Sequence, residues 1–104
     1  MLDKGTVREI AQRYVDEVQK VLSPTAVILF GSYANGTPNK FSDIDIAIVV
    51  SNYDGDWLEA ITKLCGLTRN VSIDIEPHLL DETNDPSGFL EHIKKTGEVI
   101  FKAA

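Results

Sequence analysis

Apolar positions near the start of the chain recur at steps of three and four: Val7, Ile10, Ala11, Tyr14, Val15, Val18, Val21 and Leu22. That is the helical period, and it predicts an amphipathic helix. Thr6 and Glu9 fit a capping box at its start. Ser23-Pro24 ends it, because the residue before proline is pushed out of the α region. Ala26 to Phe30 then gives five apolar residues without a polar partner, the mark of a strand covered on both faces. Gly31-Ser32 breaks this strand. The polar stretch from Gly36 to Ser42 carries Pro38 and reads as a loop, with Lys40 solvated. From Asp43 to Val50 the pattern alternates, which predicts a second strand. Ile44, Ile46, Ile48 and Val50 share one face; Asp43, Asp45, Ala47 and Val49 share the other.

The second half of the chain repeats these signals. Trp57, Leu58, Ile61, Leu64 and Cys65 have helical spacing, which places Cys65 as a small core residue. Val71, Ile73 and Ile75 alternate with Ser72, Asp74 and Glu76 in a third strand, which Pro77 closes, leaving His78 to pack in the turn beyond. Asp85-Pro86 is a good N-cap and first-turn pair and Gly97 a good stop, so a helix is expected over Pro86 to Thr96, with His92 on its surface. Val99-Ile100-Phe101 suits a last short strand. The whole order predicts a mixed α/β (α+β) fold, a small mixed β-sheet flanked by helices.

The length of 104 residues fits a single domain over 1–104. Ten Lys and Arg against sixteen Asp and Glu leave a net charge of −6, which argues against direct binding to duplex DNA. One cysteine excludes an internal disulfide framework and a multi-cysteine zinc site. No apolar run is long enough to span a membrane, and the first residues lack the apolar region of a signal peptide, so the expected location is cytoplasmic. An acidic chain can still take a nucleotide if a divalent cation stands between its carboxylates and the phosphates.

The chemistry concentrates in Phe30-Gly31-Ser32-Tyr33-Ala34-Asn35-Gly36 and Ser42-Asp43-Ile44-Asp45. Asp43 and Asp45, two apart on a strand, point to one side and repel unless a cation neutralises them. An oxygen-only pair suits Mg²⁺. Asp74 and Glu76 share the polar side of the third strand, and either adds a third carboxylate if that strand lies beside the second. Backbone N–H groups after Gly31, with the Ser32 hydroxyl, suit a phosphate. Tyr33 suits stacking on a base and packing beside the motif equally well.

Gly31-Ser32, ten intervening residues and Asp43-Ile44-Asp45 resemble the signature of the DNA polymerase β-like nucleotidyltransferase superfamily. The string GSYANGTPNKFSDIDIAIVV and the tail PSGFLEHIKKTGEVIF are similar to its small prokaryotic branch, the minimal nucleotidyltransferases, some of which are antitoxin partners of HEPN-domain toxins. The resemblance runs from about Ala26 to Phe101 and implies a nucleotidyltransferase fold. It implies that Gly31 and Ser32 bind the phosphates of a nucleoside triphosphate such as ATP. It makes Asp43, Asp45 and a third carboxylate the catalytic metal ligands, with Mg²⁺ as cofactor. Ile73-Asp74-Ile75 matches the usual pattern for that third residue, which favours Asp74; Glu76 has the same facing. Asn35 departs from the arginine many relatives carry and brings no positive charge. With the three strands and their helices counted, few residues remain for an acceptor pocket. The expected function is transfer of a nucleoside monophosphate to a hydroxyl on a partner, such as a HEPN-domain protein or another copy in a homo-oligomer. The alternative is a binding module that neutralises its partner by occupancy.

Overall fold

The structure, a computed structural model, describes residues 2–39 and 42–104; Lys40 lies outside the described residues. Among the described residues a four-stranded mixed sheet carries four α-helices; the pattern predicts the sheet and three of the helices, and the fourth is a single turn after Gly31. The strands are β1 (Ala26–Phe30), β2 (Ile44–Val50), β3 (Ile75–Asp81) and β4 (Glu98–Lys102), and the helices are α1 (Lys4–Val18), α2 (Ser32–Asn35), α3 (Trp57–Leu67) and α4 (Phe89–Thr96). The strands lie in the order β3-β2-β1-β4. β1 is antiparallel to β2 and β4, whereas β2 and β3 run parallel and are joined through α3.

The two faces of the sheet are covered unequally. On one, Val27 and Leu29 of β1, Ile44, Ile46, Ile48 and Val50 of β2, and Ile75 and Leu79 of β3 meet α1 and α3 through Val7, Ala11, Tyr14, Val15, Val18, Ala60 and Leu64. Tyr14 is fully buried and donates its hydroxyl proton to Leu64 O at 2.6 Å. Burial, the larger cause, and the neighbouring Cys65 thiol push its pKa up. On the other face, Ile28, Ala47 and Val49 meet Leu90 and Ile93 of α4, with Ala26, Phe30 and Leu80 packed at the margin. This double cover explains the unbroken apolar run of β1. α4 leaves one end of its face open, and the acidic side chains emerge there.

Several boundaries differ from those the sequence suggests. α1 starts at Lys4, because the Asp3 carboxylate accepts from Thr6 N at 2.7 Å and takes the capping role expected of Thr6. It ends at Val18, so Val21 and Leu22 lie beyond it. α4 starts at Phe89 rather than Pro86, since Gly88 adopts the left-handed conformation (φ 75°) just before it. Asp85 still caps this helix from a distance, accepting from Leu90 N at 3.0 Å and Glu91 N at 3.2 Å. Cys65 is exposed, not a core residue: one step past buried Leu64, it turns about 100° away from the packed side.

The most consequential difference is β3. It begins at Ile75 and runs through Pro77 to Asp81, where the sequence suggests a strand over Val71–Glu76 closed by Pro77. Proline is tolerated here because β3 is an edge strand, with one side free of ladder bonds.

The far end of β3 holds the turn between β2 and α3. Asp81 accepts from the Thr83 hydroxyl at 2.6 Å, and from Tyr53 N at 2.9 Å, Thr83 N at 2.9 Å and Asn52 N at 3.0 Å. These bonds, the Thr83 hydroxyl first, hold its carboxyl well below the usual aspartate range. A depressed carboxyl stabilises the fold above its unfolded pKa of about 3.9, and that contribution fades as pH falls toward the folded value. Asp81→Asn should therefore lower the urea midpoint at pH 7, and the gap to the parent should narrow between pH 5 and pH 3. A gap that stays constant across that range would contradict this role.

Candidate functional site

The open end of the α4 face is built by three strands. Register places Phe30 of β1 opposite Asp45 of β2, and Asp45 beside Glu76 of β3. Ala47 pairs with His78, so the side chains of Asp45, Glu76 and His78 rise from the same face. One donor atom from each of these three residues lies within 4.8 Å of the other two, a group able to hold a divalent metal ion. The His78 Nε2 to Asp45 Oδ1 distance is 3.4 Å. Asp45 and His78 are half-buried and Glu76 is exposed.

Loss of solvent around Glu76 holds its carboxyl above the usual glutamate range, and the negative charges of Asp45 and Asp43 add to that, against the opposing pull of His78. A raised carboxyl pKa means that ionising Glu76 costs the fold stability as pH rises through the folded value. A cation placed among these groups relieves the repulsion. The donor set therefore fits a divalent ion on both chemistry and spacing.

Gly31 closes the site from the β1 side. It leaves the strand with φ 76° and ψ −155°, a conformation open essentially to glycine alone. A Cβ at this position would stand 3.2 Å from Asp45 Cγ and would overlap Asp45 Oδ2. The backbone thus passes directly over the carboxylate. Ser32 opens the single-turn α2, and its carbonyl accepts from Gly36 N and, at 3.0 Å, from Thr37 N. Gly36, at φ 74°, ends the turn in the left-handed conformation.

Asp43 is exposed, immediately before β2, and its charge reaches Glu76. Asp74 stands in the turn before β3. It is exposed, its carbonyl accepts from Ile44 N at 2.8 Å and its N–H donates to the Ser72 hydroxyl at 3.2 Å. Its side chain is not part of the group formed by Asp45, Glu76 and His78. Tyr33 packs against the core of the opposite face, and its hydroxyl accepts from Leu2 N at 3.2 Å. His92 is exposed on α4, as expected.

His78 is the residue that sequence reasoning missed. The Phe30 ring packs edge-on to its imidazole, with centroids 5.0 Å apart, and Phe89 packs on Phe30 in turn at 5.8 Å. The signal was the spacing of Glu76 and His78, two residues apart, which continues the strand alternation across Pro77.

Residues 10–104 match the family described as polymerase beta, nucleotidyltransferase, and the chain belongs to that family. Solved structures share the fold. A candidate nucleotidyltransferase from Sulfolobus solfataricus is 23% identical, with a TM-score of 0.69 over 95% of this chain and 83% of that one. A toxin-antitoxin with AMP-PNP is 23% identical, with a TM-score of 0.59 over 88% of this chain and 73% of its own. A mutant of the toxin-antitoxin MntA-HpeT is 19% identical, with a TM-score of 0.58 over 98% of this chain and 75% of its own. No curated protein sequence matches this one. Among the described residues no helix is long and apolar enough to cross a membrane.

Proposed function

We propose that this chain is a Mg²⁺-dependent nucleotidyltransferase that moves a nucleoside monophosphate from a triphosphate such as ATP to a hydroxyl on a partner protein. The observation that carries this reading is the passage of the Gly31 backbone over Asp45, beside Glu76. The backbone proposed to hold phosphate and the carboxylates proposed to hold metal share one corner, an arrangement suited to phosphoryl transfer. Family membership supports the same chemistry.

In this reading the N–H groups after Gly31, with the Ser32 hydroxyl, hold the terminal phosphates. Asp43, Asp45 and Glu76 are the proposed metal ligands, with Glu76 preferred to Asp74 because it shares the corner with Asp45. A bound Mg²⁺ would supply positive charge to the phosphates and polarise the reacting oxygens. The acceptor oxygen attacks the α-phosphorus, a new P–O bond forms, and the bond to the bridging oxygen of the β-phosphate breaks to release pyrophosphate. Glu76, which faces the same corner, takes the hydroxyl proton.

The described strands and helices all serve the sheet and its cover, so the acceptor is proposed to come from outside them. A HEPN-domain toxin is the proposed partner, with this chain as its antitoxin. The support is the resemblance of the motif string and the shared fold with two toxin-antitoxin structures. With such a partner, ATP and Mg²⁺, intact mass spectrometry should show the partner heavier by one nucleoside monophosphate, and EDTA should abolish the adduct. Tight association without an adduct for any nucleotide would replace this reading with neutralisation by occupancy.

A further inference from the structure

We propose that His78 is a direct metal ligand, and that through its imidazole this site prefers a first-row transition ion over Mg²⁺. The inference rests on reading the corner as a metal site; Mg²⁺ serves the proposed transfer there, and the imidazole makes a transition ion the more tightly held of the two. Three observations carry it. First, His78 Nε2 stands 3.4 Å from Asp45 Oδ1. That is longer than the roughly 2.7–3.2 Å of an ordinary N–H···O hydrogen bond. It equals the separation of two ligands on one tetrahedral ion, which at metal–ligand distances of about 2.0–2.1 Å is roughly 3.4 Å. Second, one donor atom of Glu76 lies within 4.8 Å of those of Asp45 and His78, so imidazole and carboxylates face one corner. Third, the ring is aimed rather than loose: β3 pairing places it on the site face, and the edge contact with Phe30 fixes its tilt.

Donor chemistry then sets the ion. Mg²⁺ prefers oxygen ligands in near-octahedral geometry and keeps several waters. Imidazole nitrogen favours first-row transition ions, and affinity for nitrogen-containing sites rises from Mn²⁺ to Co²⁺ and beyond. A nitrogen ligand beside Asp45 and Glu76 therefore tips the balance away from Mg²⁺. The ligating form is neutral imidazole, with the proton on Nδ1 and the Nε2 lone pair on the ion.

Two readouts test this without any turnover. The full chain is titrated with Co²⁺ alone, followed by visible absorption, and Mg²⁺ affinity is taken from competition. His78→Gln should weaken Co²⁺ binding by about tenfold or more, on the scale seen when groups around bound metals are removed. Mg²⁺ affinity should change far less. Electron spin-echo spectra with Mn²⁺ should show nitrogen modulation in the parent that His78→Gln removes. Absence of that modulation in the parent, or an equal loss of Co²⁺ and Mg²⁺ affinity in the variant, would overturn the proposal. Asp45→Asn separates the two readings. If it abolishes binding of both ions while His78→Gln leaves their ratio unchanged, the metal site stands and the histidine ligand falls. If Asp45→Asn leaves Co²⁺ binding intact, the metal site itself falls. Circular dichroism of each variant confirms that the chain is folded.

Discussion

Gly31→Ala should abolish the thermal stabilisation that Mg²⁺ and ATP together give the parent chain. The cause is local and double. Alanine at φ 76°, ψ −155° is strained by about 1–3 kcal/mol, and its Cβ would overlap Asp45 Oδ2. Asp45 must move away from the corner, and the backbone N–H groups after position 31 shift with it. A small domain has about 5–15 kcal/mol of stability, so the variant should remain folded. Gly36→Asn is the matched control. Gly36 also has positive φ, but a Cβ there meets nothing within 4 Å, and asparagine tolerates the left-handed conformation. The control should keep the ligand-induced shift in melting temperature. If Gly31→Ala retained the full shift, the close approach of Gly31 to Asp45 would have no part in binding.

Asp45→Asn should lower nucleotide transfer by at least about a hundredfold, since loss even of groups that merely support metal ligands costs 10–100-fold. The same change should leave the metal-free protein at least as stable as the parent, because it removes a negative charge that opposes ionisation of Glu76. The Glu76 pKa should fall toward the ordinary glutamate range, measurable by titrating its side-chain carbon signal by NMR. Activity and stability thus move in opposite directions, as expected where like charges are held together for function. A variant that transfers normally, or whose Glu76 titration is unchanged, would contradict the coupling of these carboxylates.

Much of this architecture was legible in the sequence. The apolar run of β1 showed a doubly covered strand, and the alternation of β2 put Asp45 on the face opposite Ile44 and Ile46, as found. Gly31 showed as a strand terminator, although its closeness to Asp45 depends on antiparallel pairing of Phe30 with Asp45 that no local pattern records. The start of β3 was obscured because Ile73 completes an apolar alternation with Val71 and Ile75, yet it is 84% exposed and outside the strand. Pro77 reads as a stop because proline breaks interior strands; on an edge it does not. That one position hid the pairing of Ala47 with His78 and so the histidine at the site. Cys65 shows the same limit in a helix, where spacing marks an apolar stripe but not its edge.

A crystal of the chain grown with Mn²⁺ and a non-hydrolysable ATP analogue tests the central claim most directly. Anomalous scattering at the manganese edge should place the ion between Asp45 and Glu76, with the analogue's phosphates on the backbone after Gly31. An ion bound elsewhere, or phosphates away from the Gly31-Ser32 turn, would contradict the account.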